Sequence, residues 1–200
     1  MQKRNKFQRV RLPQQFGLNA ENSVLVARIA DLQLPFIKER NNFSVRTYYP
    51  EQDFKEHLST RTPHLVTTTK SNFLKKAPGL LKQGLHLIVG DKIDAKDAKF
   101  KGCIWISDNF IRVEISDGPG TVRMVTNEGK IDRAYEFAIN HHVGLPEVDC
   151  CVNECRKTEL RNVIFEFSYY NIPVGWRNEY FICWEITDDG TSKCRLFKER

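Results

Sequence analysis

Leu85-His86-Leu87-Ile88-Val89, closed by Gly90-Asp91-Lys92-Ile93-Asp94, begins the stretch that decides the fold of this 200-residue chain. It continues as Phe100-Lys101-Gly102-Cys103-Ile104-Trp105-Ile106 and Ile111-Arg112-Val113-Glu114-Ile115. The turn Asp117-Gly118-Pro119-Gly120 then leads into Val122-Arg123-Met124-Val125. These runs are rich in β-branched and aromatic residues, and turn residues separate them. That is the pattern of short strands joined as a meander running to about Phe137.

Working outward toward the N-terminus, Phe43-Ser44-Val45-Arg46-Thr47-Tyr48-Tyr49 predicts a strand ended by Pro50, and His64 to Thr69 predicts another. Acidic residues after Pro50 predict a short helix over Glu51 to Leu58. Ser71 can cap a helix from Asn72 to about Leu81, interrupted at Pro78-Gly79 and terminated by Gly84. Leu25, Ile29, Leu32 and Phe36 recur at helical spacing behind Asn22 and predict a helix there. Residues 1–17 mix basic and amide side chains with Pro13 and Gly17, and are expected to form an extended arm.

Toward the C-terminus, Asn127-Glu128-Gly129 predicts a turn, and Asp132 to His141 a short helix. Val152 to Val163 predicts an amphipathic helix. Phe165 to Tyr170 and Tyr180 to Ile186 predict strands, followed by a turn at Asp188-Asp189-Gly190 and a last strand at Cys194 to Phe197. The expected fold is α+β, a mostly antiparallel sheet with helices packed on one side. Residues 1–17 precede a single domain, 18–200, with 18–84 and 85–200 as its expected subdomains.

Composition narrows the function classes. Forty per cent apolar and 28% charged residues describe an ordinary globular chain, not a disordered one. No apolar run approaches the roughly 20 residues needed to cross a bilayer, and no apolar stretch follows the basic start. A cytoplasmic protein without a membrane partner is expected. The six cysteines include the adjacent pair Cys150-Cys151, awkward for a disulfide framework, so reduced thiols are expected. The net charge of +6 suits an anionic partner.

Three constellations carry chemistry. Glu166 and Glu185 each sit on an expected strand among large apolar neighbours. Two carboxylates at one end of a sheet suit Mg²⁺, which takes hard oxygen ligands and leaves positions for phosphate oxygens. Spacing alone favours the plainer reading, in which both face solvent. Arg46, on a strand with Val45, Tyr48 and Tyr49, can bind a phosphate bidentately, or can simply lie on the solvent face. His141, His142, Cys150, Cys151 and Cys155 supply zinc-ligand types without the paired-knuckle spacing, and Cys151 and Cys155 fall on one helix face as buried free thiols would. Lys70, Lys75, Lys76 and Lys82 with Arg46, Tyr48 and Tyr49 define the competing reading, a basic nucleic-acid-binding face with stacking aromatics.

Taken in order, these segments resemble the nucleotide-binding region of pyruvate phosphate dikinase and phosphoenolpyruvate synthase, of the ATP-grasp fold. Phe43 to Thr47 with Glu51-Gln52-Asp53 is similar to the arginine-bearing strand of that region. Leu87 to Ile93 is similar to the strand and hinge that hold adenine, and Ala98 to Ile104 to the strand start after it. Val113-Glu114-Ile115 with Gly118-Pro119-Gly120 and Val122 resembles the following hairpin. Ile164 to Ser168 resembles the strand carrying a metal-binding carboxylate, and Phe181 to Glu185 falls at the closing strand. The departures are Thr47-Tyr48-Tyr49 in place of small residues, Glu185 in place of a Gln-x-Arg-Pro signature, and no glycine-rich phosphate loop.

The resemblance implies an ATP-binding domain with Mg²⁺-dependent phosphoryl-transfer or ligase chemistry. Arg46 would be the catalytic contact to phosphate, and Val89, Gly90, Asp91 and Lys92 would hold the base. Glu166 and Glu185 would hold the metal. The implied partners are a nucleotide and an acceptor substrate; whether a protein partner supplies the missing phosphate loop stays open. The alternatives are a binding module that has lost the chemistry and the nucleic-acid reading above.

Overall fold

A computed structural model describes residues 4–50, 67–94, 97–118, 131–140, 142–158 and 162–188. The expected helix over Glu51 to Leu58, the start of the strand at His64, the strand Val122 to Val125, the turns at Asn127 and Asp189, and the strand Cys194 to Phe197 lie outside the described residues. The chain forms two compact units. One comprises residues 1–8 and 21–94, the other 9–20 and 95–200.

The first unit is built on a four-stranded antiparallel sheet. Its strands are β1 (Ser23–Val26), β2 (Asn42–Tyr48), β3 (Thr67–Thr69) and β4 (His86–Asp91), in the order β1-β4-β2-β3. The expected helix after Asn22 is absent. Ser23–Val26 pairs with β4 as far as Val26↔Leu87, and a 3-10 turn (Ile29–Gln33) and the short helix α2 (Pro35–Lys38) follow. Apolar spacing there fitted a helix, but long-range pairing of β-branched Val24 and Val26 decides the conformation.

Helix α3 (Lys70–Lys82) is capped by Thr69, whose hydroxyl accepts Asn72 N–H at 3.3 Å, two positions before the expected cap Ser71. It runs through Pro78 and ends in a Schellman turn. Leu85 N–H reaches Leu80 O and Gly84 N–H reaches Leu81 O, with Gly84 at φ +81°. Phe73 and Ala77 of α3 are fully buried with Phe43, Val45, Leu87 and Val89 of the sheet. Each of the two phenylalanines contributes about 2–3 kcal/mol by leaving water. The rings of Phe43 and Phe73 stand 5.3 Å apart.

The second unit carries a five-stranded antiparallel sheet. Its strands are β5 (Ala98–Ile106), β6 (Phe110–Asp117), β7 (Arg133–Ala138), β8 (Val163–Val174) and β9 (Glu179–Asp188), in the order β7-β6-β5-β8-β9. β7 was expected to be helical. Its Arg, Ala and Glu are helix formers, but pairing with β6 from Phe110↔Ala138 to Ile115↔Arg133 holds them extended at the sheet edge.

Helix α1 (Lys6–Gln15) replaces the expected extended arm. A reciprocal capping box starts it: Gln8 N–H donates to Asn5 Oδ1 and Asn5 N–H to Gln8 Oε1, each at 2.9 Å. Helix α4 (Pro146–Thr158) buries Val148, Cys151, Val152 and Cys155. These pack with Leu12 and Phe16 against one face of the sheet, lined by Ile104, Ile111, Val113, Phe165 and Ile186. Each unit therefore has helices on one side of an antiparallel sheet, and the fold is α+β as expected. No helix among the described residues is long and apolar enough to cross a membrane.

Candidate functional site

Directly paired residues of an antiparallel sheet share a face, so the register of the second sheet sorts its side chains. Ile104 pairs with Val113 and Phe165, and Phe165 with Ile186, on the face that packs against α4. Cys103 pairs with Glu114 and Glu166, and Glu166 with Glu185, on the opposite face. One row across that face reads Glu114, Cys103, Glu166, Glu185. The next row reads Ser116, Lys101, Ser168, and the one on the other side Arg112, Trp105, Ile164.

The two carboxylates expected to act together are thus brought together, and a bulge brings this about. By alternation Cys183 and Glu185 would share a face. An extra residue, Trp184, intervenes between the pairs Phe167↔Cys183 and Glu166↔Glu185. Cys183 stays in the apolar layer, and Glu185 turns to the side of Glu166. Bulges re-aim single side chains in this way next to functional sites.

This face is polar yet shielded. Glu114 is 2% exposed, Glu185 7%, Lys101 6% and Ser168 0%. Buried charges need partners, and two pairs are in contact. Arg9 Nε lies 2.7 Å from Glu185 Oε1, and Arg112 Nε lies 2.9 Å from Glu114 Oε1. Arg112 also approaches Glu136 at 3.8 Å. Glu166 is half-buried. Lys101, Glu114 and Arg9 were not anticipated as site residues. The alternations Lys101-Cys103-Trp105 and Arg112-Glu114-Ser116 were the signal for the first two, and nothing local announces Arg9.

In the first unit Arg46 also lies beside a carboxylate. Its Nη2 stands 3.0 Å from Oε2 of Glu21, which is 3% exposed. Ser44 Oγ donates to Glu21 Oε1. Gly90 lies opposite Ser44, and a Cβ there would come within 2.3 Å of the Glu21 carboxyl carbon, so the missing side chain makes the space the carboxylate fills. Burial pushes the Glu21 carboxyl above its ordinary 4.5, opposed by Arg46 and by the Ser44 hydrogen bond.

A raised carboxyl pKa has a definite linkage sign. Glu21 titration contributes stability that is fully present below the unfolded value and lost as pH rises through the folded one. The stability of the wild type relative to Glu21→Gln is expected to fall as pH rises above the ordinary carboxyl value of 4.5. Thermal unfolding followed by circular dichroism across a pH series tests this, and a difference that stays flat or grows with pH contradicts it.

The four hinge candidates differ in what they offer. Val89 and Gly90 lie in a central strand, paired on one side with Val24 and Ser23 and on the other with Val45 and Ser44. Asp91 N–H donates to Asn22 O, and the Asp91 carboxylate pairs with Arg40. Lys92 follows the end of the strand.

The described members of the histidine and cysteine cluster do not assemble. Cys151 and Cys155 are buried free thiols in the apolar layer, and burial pushes Cys155 up to about 12, whereas zinc binds thiolate. His142 is exposed and pairs with Asp149 at 3.1 Å; His141 lies outside the described residues. Among the described residues no three His, Cys, Asp or Glu side chains form a cage for an ion. The basic face expected for nucleic acid is not formed as expected either. Lys75, Lys76 and Lys82 are exposed, but Tyr48 is buried edge-on against His86 and Arg46 is paired with Glu21.

No protein-family model matches the sequence, and no curated protein matches it. Solved structures match by fold. The macrocyclase MdnC, bound with precursor peptide MdnA from Microcystis aeruginosa MRC, is 12% identical with a TM-score of 0.52, over 90% of this chain and 50% of that one. The ATP-grasp ligase PsnB, complexed with minimal precursor, is 12% identical with a TM-score of 0.50, over 98% of this chain and 55% of that one. The D-alanine–D-alanine ligase from Bacillus anthracis, complexed with ATP, is 8% identical with a TM-score of 0.50, over 92% of this chain and 54% of that one. The chain spans about half the length of these structures, and its fold is of the ATP-grasp type.

Proposed function

We propose that this chain binds ATP with Mg²⁺ and serves phosphoryl-transfer or ligase chemistry. The observation that carries the reading is the cross-strand pair Glu166↔Glu185, set on the shielded polar face by the bulge at Trp184. Mg²⁺ takes one or two carboxylates and fills its other positions with water and phosphate oxygens, so a paired edge of carboxylates fits it better than a closed cage does. When bound, the ion neutralises phosphate charge as it develops during transfer. Arg9 supplies positive charge to Glu185 in the same place, and orients that carboxylate.

In this reading Arg46 contacts phosphate while Glu21 orients its guanidinium. Val89 and Gly90 anchor the base-holding segment within the sheet, and Asp91 and Lys92 carry it out to the nucleotide. The ordered resemblance from Phe43 to Ile186 supports the finer assignment, a nucleotide-binding region of the dikinase and synthase kind. One of the similar structures is bound with a precursor peptide and another with a minimal precursor, which supports a peptide as the first acceptor to try. The five described cysteines are free, which supports a reducing compartment such as the cytoplasm.

The test is thermal unfolding with and without ATP and Mg²⁺. A ligand at 100 times its Kd adds about 2.7 kcal/mol, a shift that is easily read. Glu166→Gln is expected to lose the Mg²⁺-dependent part of that shift. An unchanged shift in the variant removes the metal assignment. No shift with any nucleotide, together with salt-sensitive retention of RNA or DNA, rejects ATP binding altogether.

A further inference from the structure

The segment proposed to hold the base leaves its sheet at Asp91, and a side chain that the proposed function does not use meets it there. Up to Gly90 the strand β4 is supported on both sides, with Ser23 of β1 and Ser44 of β2 as partners. Asp91 keeps Phe43 of β2 as its strand partner, and its N–H donates to Asn22 O at 3.0 Å. Lys92 lies past the end of the strand. At this boundary Arg40 Nε reaches the Asp91 carboxylate at 2.5 Å, and both side chains are half-buried.

Arg40 is held in turn. Its guanidinium carbon stands 3.6 Å from the centre of the Phe36 ring, and Nη1 donates to Phe36 O at 3.3 Å. The connection between α2 and β2 on which it sits is tied to the start of α3. Lys70 N–H donates to Asn41 O at 2.7 Å, and the Lys70 ammonium donates to Lys38 O. A planar guanidinium can lie on a ring and turn its edge to a carboxylate at once, which an ammonium cannot. A half-buried ion pair adds little to global stability. Its effect falls on one place, the last residue fixed before the chain leaves the sheet. A segment held in this way before the ligand arrives does not have to be ordered on binding.

We propose that Arg40 is a positioning residue, which sets the base-holding segment through Asp91 and so favours a nucleotide over bare polyphosphate. The proposal rests on the assignment of Val89, Gly90, Asp91 and Lys92 to the base. Calorimetric titration of ATP and of inorganic tripolyphosphate, each with Mg²⁺, into the full chain and its Arg40→Met, Arg40→Lys and Asp91→Asn variants tests it. Arg40→Met is expected to weaken ATP about fivefold, the upper end of what such a pair contributes, and to leave tripolyphosphate within about twofold. Arg40→Lys keeps the charge without the fork and is expected to regain part of the loss. Asp91→Asn breaks the same pair from the other side. It is expected to lose ATP alone, with no further loss when combined with Arg40→Met, and it decides the matter if Arg40→Met lacks a cooperative unfolding transition. Unchanged ATP affinity, or an equal loss for ATP and tripolyphosphate, overturns the assignment of Arg40 while ATP binding itself stands. A wild type that binds tripolyphosphate as tightly as ATP leaves no base contact to position, and overturns it too. A wild type that binds neither overturns the proposed function along with it.

Discussion

Arg9→Met is expected to destabilise the second unit by about 3–5 kcal/mol, the range seen when one partner of a buried ion pair is removed. Arg9 and Glu185 side chains are 11% and 9% exposed, and their contact is 2.7 Å. Methionine keeps most of the aliphatic stem, so the loss falls on the charge, and the Glu185 carboxylate is left shielded from water beside Glu166. Neutralising that carboxylate as well removes the uncompensated charge. Arg9→Met with Glu185→Gln should therefore lose less stability than Arg9→Met alone. Urea unfolding read by tryptophan fluorescence measures this cleanly, because Trp105, Trp176 and Trp184 all lie in the second unit. A midpoint for Arg9→Met within about 0.5 kcal/mol of the wild type, the range of an ordinary surface change, defeats the expectation.

Gly102→Ala is expected to lose about 3 kcal/mol or more, at the upper end of what overpacking costs. A Cβ at this position would stand 2.1 Å from the Glu114 carbonyl oxygen and 2.7 Å from Cζ of Phe167. The ring can turn aside, but the carbonyl belongs to the β5–β6 ladder and moves only if the strands part. Gly102 also lies between Lys101 and Cys103, so any parting shifts the row that includes Glu114 and Glu166. The same variant should show a lower urea midpoint and a smaller thermal shift with ATP and Mg²⁺. Wild-type values for both would mean that the strands yield at this point without penalty.

The strands that set the fold were legible because their cores are self-announcing. β2, β5, β6, β8 and β9 are runs of β-branched and aromatic residues, and in β6 the alternation divides two faces, Ile111-Val113-Ile115 against Arg112-Glu114-Ser116. β1 and β7 were not legible. Leu25, Ile29, Leu32 and Phe36 fit a helical period, and Arg133 to Ala138 is rich in helix formers, so in both cases distant pairing overrode the local signal. In α1 the capping residues Asn5 and Gln8 were visible in the sequence, but Pro13 and Gly17 read as breakers. The helix instead carries Pro13 within its last turn.

The candidate site divides the same way. Glu166 and Glu185 could be picked out as carboxylates on adjacent strands, but their common face depends on one extra residue that no propensity reports. Arg9 meets Glu185 across 176 positions of chain. Glu21 meets Arg46 from another element, in a space opened by Gly90. Such contacts are set by tertiary packing and leave no periodic trace.

The extra residue in β9 also governs how this strand tolerates changes in length. Odd and even positions exchange faces at Trp184, so the strand keeps two separate counts, one ending at Cys183 and the other beginning at Glu185. Excising Trp184 would merge the counts into one unbroken alternation and leave every remaining side chain on its present side. Excising Ile186 instead would carry Thr187 into the apolar layer. A one-residue deletion in β9 that leaves every other side chain on its present face therefore falls at Trp184, beside a residue of the candidate site.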